Sequence, residues 1–101
     1  MSTPGRAAVT LIARFTALPG HRAHAAELIR AYAEHVRAMD GCVLFEPTTD
    51  SDHPLGFIVF ERYRDQDTFD AHLNDPENAS FNAALSAHVA GPSRLEFLDA
   101  V

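Results

Sequence analysis

Residues 56–73, GFIVFERYRDQDTFDAHL, decide the fold. The first half, Gly56 to Tyr63, has the apolar and aromatic content of a β-strand, and the second half has the spacing of a helix. In that helix Phe69, His72 and Leu73 fall at positions i, i+3 and i+4, so they share one face. This face is expected to point towards the core, which places a histidine in the middle of an apolar stripe.

The residues before this stretch predict two strands separated by a helix. The apolar and polar residues of AVTLIARFTA, residues 8–17, alternate as in a strand, and Cys42 to Pro47 forms a second strand. Between them, His21 to Met39 has an amphipathic helical period that ends at Asp40-Gly41. The polar segment Thr48 to Pro54 is interpreted as a loop.

The residues after this stretch predict a further helical segment and a last strand. Asp75 and Pro76 suit the N-cap and first position of a helix that continues the second one, and the helical spacing extends to His88. Alternation around Leu95 predicts the fourth strand. The order β-α-β-β-α-β predicts a ferredoxin-like α+β fold, in which a four-stranded antiparallel sheet carries the helices on one face.

Length and composition limit the classes of protein to which the chain can belong. The 101 residues suggest one domain, residues 7–101, after a flexible tail, residues 1–6. The net charge is −6 and all 8 basic residues are arginine, so neither nucleic acid nor an anionic membrane is expected as a partner. No apolar run approaches the roughly 20 residues of a membrane span. With Cys42 as its single cysteine, the chain is expected to be a soluble cytoplasmic protein.

The predicted third strand is apolar on both faces, since Phe57, Ile58, Val59 and Phe60 follow one another. A sheet that carries helices on one face is expected to have a polar second face. An exposed apolar sheet face is usually an interface, so the sequence predicts a homodimer in which two sheets face each other. The alternative is a monomer whose second face is covered by its own termini.

His72 is the candidate functional residue on the apolar stripe. A buried polar group without a partner costs roughly 1–3 kcal/mol, so a partner is expected, and Glu61 and Tyr63 are near in sequence. One interpretation is a structural pair of His72 with Glu61. The other is a general base at the edge of an apolar pocket. The sequence leaves open whether the strand points Glu61 or Arg62 towards the helices.

The sequence gives little support for a cofactor. No nucleotide-binding or serine-hydrolase motif is present. His21, His24 and Glu27 lie one helical turn apart, a spacing that can hold a metal but that more often marks a solvated first turn. We therefore predict that the protein uses no metal, flavin or haem.

Four segments carry a resemblance to a known family. They are ARFTALPG at residues 13–20, VRAMDGCVLFE at 36–46, IVFERYRDQDTFDAHL at 58–73 and HVAGPSRLEFL at 88–98. In this order and spacing, the chain resembles the antibiotic biosynthesis monooxygenase family. The third segment is the most specific one, with a strand that ends in Glu-x-aromatic, an acidic turn and a helix that contains His72.

The resemblance implies a ferredoxin-like protomer that pairs into a dimeric α+β barrel. It also implies a monooxygenase that needs no cofactor, since the anion of a small quinol-like or hydroxylated aromatic substrate can reduce O₂ directly. His72, with Glu61, is then the base or a hydrogen-bonding partner of the substrate oxygen. The candidate substrate-binding residues are Phe15, Phe45, Tyr63, Phe81 and Leu85.

The chain departs from two branches of that family. It has no tryptophan, which the haem-degrading and anthrone-oxygenase branches use. Two alternative functions stay open: an isomerase or other proton-transfer enzyme acting on a small phosphorylated ketose, and a non-catalytic dimer that binds a small molecule. The first needs a cationic anchor for the phosphate, for which the candidates are Arg14, Arg62 and Arg94.

Overall fold

The computed structural model describes residues 7–101, so the predicted tail, residues 1–6, lies outside the described residues. The strands and helices are β1 (Val9–Thr16), α1 (Arg22–Arg37), β2 (Cys42–Asp50), β3 (His53–Tyr63), α2 (Gln66–Leu73), α3 (Pro76–Ser86) and β4 (Arg94–Leu98). This order confirms the predicted β-α-β-β-α-β arrangement. The second helix is divided into α2 and α3, with Asp75 as N-cap and Pro76 at the first position, as the sequence predicts.

The four strands form one antiparallel sheet in the order β2-β3-β1-β4. β1 pairs with β3 along its whole length, from Val9 opposite Tyr63 to Thr16 opposite Gly56, and β4 pairs with the other edge of β1. The buried side chains of the helices pack against β1, β2 and β3 in one apolar core. This is the predicted ferredoxin-like α+β fold.

The alternation of β3 decides which of its faces meets the helices. Phe57, Val59, Glu61 and Tyr63 are all buried, whereas Phe60 on the other face is 43% exposed. Of the two orientations that the sequence leaves open, the structure therefore has the one that points Glu61 into the space between sheet and helices.

The segment predicted as a polar loop, Thr48 to Pro54, is mostly strand. β2 continues to Asp50 and β3 begins at His53, which leaves a turn of two residues. The prediction was wrong because strand pairing uses backbone groups, so polar side chains can remain in the ladder. Thr48 adds to the pairing, since its Oγ1 donates to the carbonyl of Ile58 at 2.6 Å.

The prediction that the last helix extends to His88 is also wrong. α3 stops at Ser86, and the chain then turns back to pair with the end of β1, where Val89 bridges with Ala17. The carbonyl of His88 accepts from the Leu18 amide at 2.9 Å. This long-range pairing takes the place of a further helical turn.

A tight junction fixes the start of α2 against the turn before β2. The Asp65 side chain accepts from the Thr68 amide at 2.9 Å, and Thr68 Oγ1 accepts from the Asp65 amide at 3.2 Å, which is a capping box. Gly41 has a φ of +86°, and a Cβ at this position would lie 2.3 Å from Thr68 Cγ2. The absence of a side chain at Gly41 therefore lets the α1–β2 turn pack directly on the cap of α2.

Gly41→Ala is expected to destabilise the fold more than Gly20→Ala. Both glycines have positive φ, +86° and +84°, which costs an alanine about 1–2 kcal/mol. Only Gly41 adds a clash, because nothing lies within 4 Å of a Cβ at Gly20. Urea-unfolding midpoints of the two variants measure the difference, and equal losses would contradict the close packing of Gly41 on Thr68.

Candidate active site

A cavity of about 610 Å³ lies between the sheet and the helices. All four strands, all three helices and the α3–β4 connection contribute residues to its wall. A volume of this size suits a small organic molecule. Side chains therefore do not fill the whole space between the sheet and the helices, and the space that remains is large enough for a ligand.

The wall of the cavity is mainly apolar and aromatic. Phe15, Phe45, Phe81 and Leu85, four of the predicted substrate-binding residues, line it. Tyr32 lines it as well and stacks on Phe81 with ring centroids 4.2 Å apart. Flat aromatic side chains of this kind offer stacking surfaces to a flat, apolar ligand.

His72 lies in the last turn of α2, faces the cavity and is 6% exposed. Its Nε2 is 3.9 Å from Glu61 Oε1, which is too far for a hydrogen bond. Its Nδ1 is buried and has no hydrogen-bond partner among residues 7–101. A buried ring nitrogen without a partner carries an energetic cost of roughly 1–3 kcal/mol.

Glu61 lies beside His72 on the cavity wall, and Tyr63 lies behind Glu61. The Tyr63 hydroxyl donates to Glu61 Oε1 at 2.7 Å. Tyr63, predicted to bind substrate, is 1% exposed and is not one of the described residues that line the cavity. It instead holds the carboxyl group of Glu61 in place.

Burial controls the protonation of both titratable groups. It raises the pKa of Glu61 to about 7, and the hydrogen bond from Tyr63 opposes this shift only in part. Burial also lowers the pKa of His72, while the charge of Asp75 opposes that shift and His35 adds to it. Both pKa shifts favour the neutral form of the group. The short distance between Glu61 and His72 is therefore not sufficient to make them an ion pair. A neutral imidazole is the form that can accept a proton.

Asp75 holds the corner between α2 and α3 on which His72 is carried. Its amide donates to the His72 carbonyl at 3.3 Å, and its side chain caps α3 by accepting from the Glu77 amide. Its Oδ2 also contacts Nε2 of His35 on α1 at 2.5 Å. The corner is thereby tied to α1, a role for His35 that no local sequence pattern indicates.

A polar stripe on α3 also reaches the cavity, and sequence reasoning missed it. Asn78, Asn82 and Ser86 follow one another at intervals of four residues and line the cavity beside Phe81. Asn78 Oδ1 accepts from the hydroxyl of Tyr32 at 3.0 Å. The four-residue spacing could have indicated that these residues share one helix face. Polar residues at this spacing are, however, more often found on solvent-exposed faces.

The charged groups expected for other kinds of site are not in the described part of the cavity. No arginine is found among the lining residues of the described chain. Arg14, Arg62 and Arg94 belong to the opposite alternation of their strands, on the sheet face away from the helices. Within residues 7–101, no group of three or more His, Cys, Asp or Glu is arranged to hold a metal. No helix in the same range has the length and apolarity to cross a membrane.

Comparisons with known proteins agree with this architecture. Residues 8–84 match the family model described as antibiotic biosynthesis monooxygenase. Rv0793 of Mycobacterium tuberculosis, a presumed monooxygenase, is 30% identical over 84 residues that cover 83% of this chain and 82% of Rv0793.

Solved structures show the same fold. Rv0793 superposes with a TM-score of 0.86 at 27% identity, over 94% of this chain and 96% of Rv0793. PA3566 from Pseudomonas aeruginosa superposes with a TM-score of 0.84 at 26% identity, over 93% of this chain and 94% of PA3566. A presumed antibiotic biosynthesis monooxygenase from Caulobacter crescentus, at 23% identity and a TM-score of 0.89, covers 96% of this chain and 92% of its own and supports the fold alone.

Fold and site define a ferredoxin-like α+β protein with a buried carboxyl and a buried imidazole on the wall of an apolar cavity. The family model spans most of this sheet and the helices that carry the site. The chain belongs to the antibiotic biosynthesis monooxygenase family.

Glu61→Gln is expected to remove a pH dependence of stability. Because burial raises the pKa of Glu61 from 4.5 to about 7, the native state favours the protonated carboxyl. The contribution of Glu61 to stability is therefore present below pH 4.5 and is lost as the pH rises to about 7. Glutamine keeps an acceptor for Tyr63 and does not ionise. Relative to wild type, the variant should gain roughly 3 kcal/mol in free energy of unfolding between pH 4.5 and pH 8.

Urea unfolding at the two pH values measures this gain. Glu46→Gln is the matched control, because Glu46 is a carboxylate on β2 whose side chain is 58% exposed. The free energy of unfolding of this control should change between the two pH values by the same amount as that of wild type. If the stability of Glu61→Gln changed with pH as that of wild type does, the raised pKa of Glu61 would be contradicted.

Proposed function

We propose that this chain is a monooxygenase that oxidises a small hydroxylated aromatic substrate with O₂, and that His72 accepts the substrate proton. The observation that carries the proposal is the buried imidazole on the wall of an aromatic cavity, with an Nδ1 that no described residue satisfies. Membership of the family and similarity to the presumed monooxygenase Rv0793 support the class of reaction.

In the proposed reaction the substrate supplies the electrons. A phenolic hydroxyl gives its proton to His72, and the anion reduces O₂ and forms a carbon–oxygen bond at a ring carbon that bears a hydrogen. The peroxide takes the proton back from His72 and then loses water, which leaves a carbonyl at that carbon. One oxygen atom enters the product and the other leaves as water. All four electrons come from the substrate, so the reaction requires no external reductant and no cofactor.

A phosphorylated ketose is a weaker candidate substrate. The described lining offers no arginine for a phosphate group, and an ionised Glu61 would repel one. A non-catalytic binder would use the same cavity without consuming oxygen. Oxygen consumption over a panel of quinols and hydroxylated polycycles, with a phosphorylated ketose for comparison, separates the three functions. Saturable binding of panel members without oxygen uptake would contradict the monooxygenase.

His72→Ala is expected to lower the rate of oxygen consumption by roughly 10²–10⁴-fold, the usual contribution of a general base. The fold should persist at lower stability, because the change removes a ring that packs on Tyr63 and Phe69 and leaves the other core side chains in place. His53→Ala is the matched control, since His53 is an exposed histidine at the start of β3 and should keep the full rate. A His72→Ala variant that is folded by circular dichroism and retains its rate would rule out the proposed base.

We also propose that two copies pair through the sheet faces that point away from the helices. Three apolar side chains on this face are substantially exposed: Phe60 at 43%, Leu44 at 40% and Leu98 at 45%. Cross-strand pairing sets Phe60 beside Ile12 at the centre of this face, with Leu44 and Leu98 further out among Glu46, Arg62 and Glu96. An exposed apolar patch at the centre of a sheet face is typical of an interface. A second copy would bury it by two-fold symmetry.

Phe60→Asp is expected to give a monomer of about 11.0 kDa by light scattering, where wild type gives twice that mass. The dimer would otherwise bury an unpaired carboxylate. Phe97→Asp is the control, because Phe97 is 60% exposed but pairs with Leu11 on the helix side of the sheet. A wild-type mass of one chain at micromolar concentration would exclude the dimer.

A further inference from the structure

Three histidines meet where α1 begins and the chain leaves α3. Nδ1 of His21 lies 3.0 Å from Nδ1 of His88. The ring of His24 stacks on the ring of His88, with centroids 4.3 Å apart. His21 and His24 come from the first turn of α1 and its N-cap, whereas His88 comes from the α3–β4 connection, 67 residues from His21.

We propose that His21, His24 and His88 form a pH-sensitive clamp that holds the α3–β4 connection to the start of α1 when neutral and releases it when protonated. The proposal does not depend on the reaction catalysed in the cavity. The clamp attaches the α3–β4 connection, which forms one wall of that cavity, to the start of α1.

The contact between His21 and His88 requires a particular protonation state. A hydrogen bond between two Nδ1 atoms needs one of them to donate and the other to accept, and only an unprotonated nitrogen accepts. If both rings become imidazolium, both nitrogens are donors and two like charges are 3.0 Å apart. The contact must then break. His24, stacked on the same ring, adds a third positive charge when it is protonated.

The clamp is attached to backbone contacts that set the position of the cavity wall. The Leu18 amide donates to the His88 carbonyl at 2.9 Å, and the Ala90 amide donates to the Thr16 carbonyl at 2.9 Å. Residues 89 and 91–93, which follow directly, line the cavity. Release of His88 would therefore loosen these hydrogen bonds and the wall next to them.

The charged groups near the clamp come from α1 and from the β2–β3 hairpin, whose Asp50, Asp52 and His53 line a surface pocket with Ala90. None of these carboxylates is among the groups that shift the pKa of His88. On α1 the neighbouring charged residues are Arg22, whose Nε donates to the Pro54 carbonyl at 2.8 Å, and Glu27, one turn beyond His24. α3 has no charged residue after Glu77, and the β1–α1 turn has none. The next charged residue after the clamp is Arg94.

The direction of the pH effect follows from His88. Desolvation lowers the pKa of His88, and His24 and His21 lower it further. The folded state therefore binds the proton less readily than the unfolded chain does. The contribution of His88 to stability is complete above the ordinary histidine pKa of 6.5 and is lost as the pH falls from there through the lowered pKa.

Hydrogen exchange at the Leu18 and Ala90 amides tests the clamp, because these amides make the hydrogen bonds that it protects. Protection, corrected for intrinsic exchange rates, is compared at pH 7.5 and pH 5.5. In wild type the protection factor should fall as the pH is lowered. The fall should be up to about tenfold per pH unit for each proton that binds when the clamp opens. Amides of the β1–β3 ladder, such as that of Ala13, should not show this local fall.

Two variants identify the residues responsible. His88→Asn should abolish the fall at Leu18 and Ala90, and His21→Asn should reduce it while keeping a residue that suits a helix N-cap. His53→Asn, at an exposed histidine on β3, should behave as wild type. An unchanged fall in both clamp variants, or no fall in wild type, would overturn the proposal. Protection that rises when Zn²⁺ is added at pH 7.5 and requires both His21 and His88 would also overturn it, because the pair would then be a metal site.

Discussion

The burial of Glu61 and His72 side by side in an apolar space is the constraint on which the rest of the structure depends. Charging both would carry a desolvation cost of several kcal/mol for each ion, which their attraction at 3.9 Å without a hydrogen bond would offset only in part. Burial instead shifts the pKa of each group in the direction that favours its neutral form. Tyr63 satisfies the carboxyl group, but Nδ1 of His72 has no partner in the described chain. Within residues 7–101, a residue on the wall of the apolar cavity therefore carries an unsatisfied polar atom, and unsatisfied polar atoms of this kind are often found at functional sites.

Contacts between both ends of α2 and other parts of the chain keep this pair in position. α2 has only 8 residues, too few to be stable as an isolated helix, so its position is set by its ends. At its start the capping box packs on Gly41, and at its end Asp75 links the corner to α1 through His35. The location of His72 thus depends on contacts with two other parts of the chain and only weakly on helix propensity.

Features of the site that depend on local contacts could be predicted from the sequence, whereas features that depend on long-range contacts could not. The helical spacing of Phe69 and His72 is a local pattern, and it correctly turned the histidine towards the core. The orientation of β3 could not be predicted, because a strand that is apolar on both faces gives no alternation to read. Asp75 was recognised as an N-cap, but its contact with His35 joins residues 40 apart and has no local signature. The contact of His21 with His88 spans 67 residues and was missed for the same reason, so the first turn of α1 was interpreted as merely solvated.

The two faces of the sheet separate two electrostatic environments, and this separation bears on the proposed chemistry. On the outer face Arg14 pairs with Glu96 at 3.0 Å, whereas the described cavity wall contains no arginine. A substrate anion formed in the cavity would have the imidazolium of His72 as its nearest positive charge. Because burial disfavours that imidazolium, proton transfer is favourable only while the anion remains beside it or while Glu61 is ionised. In the proposed reaction, an ionised Glu61 at 3.9 Å would favour the imidazolium of His72 by its charge.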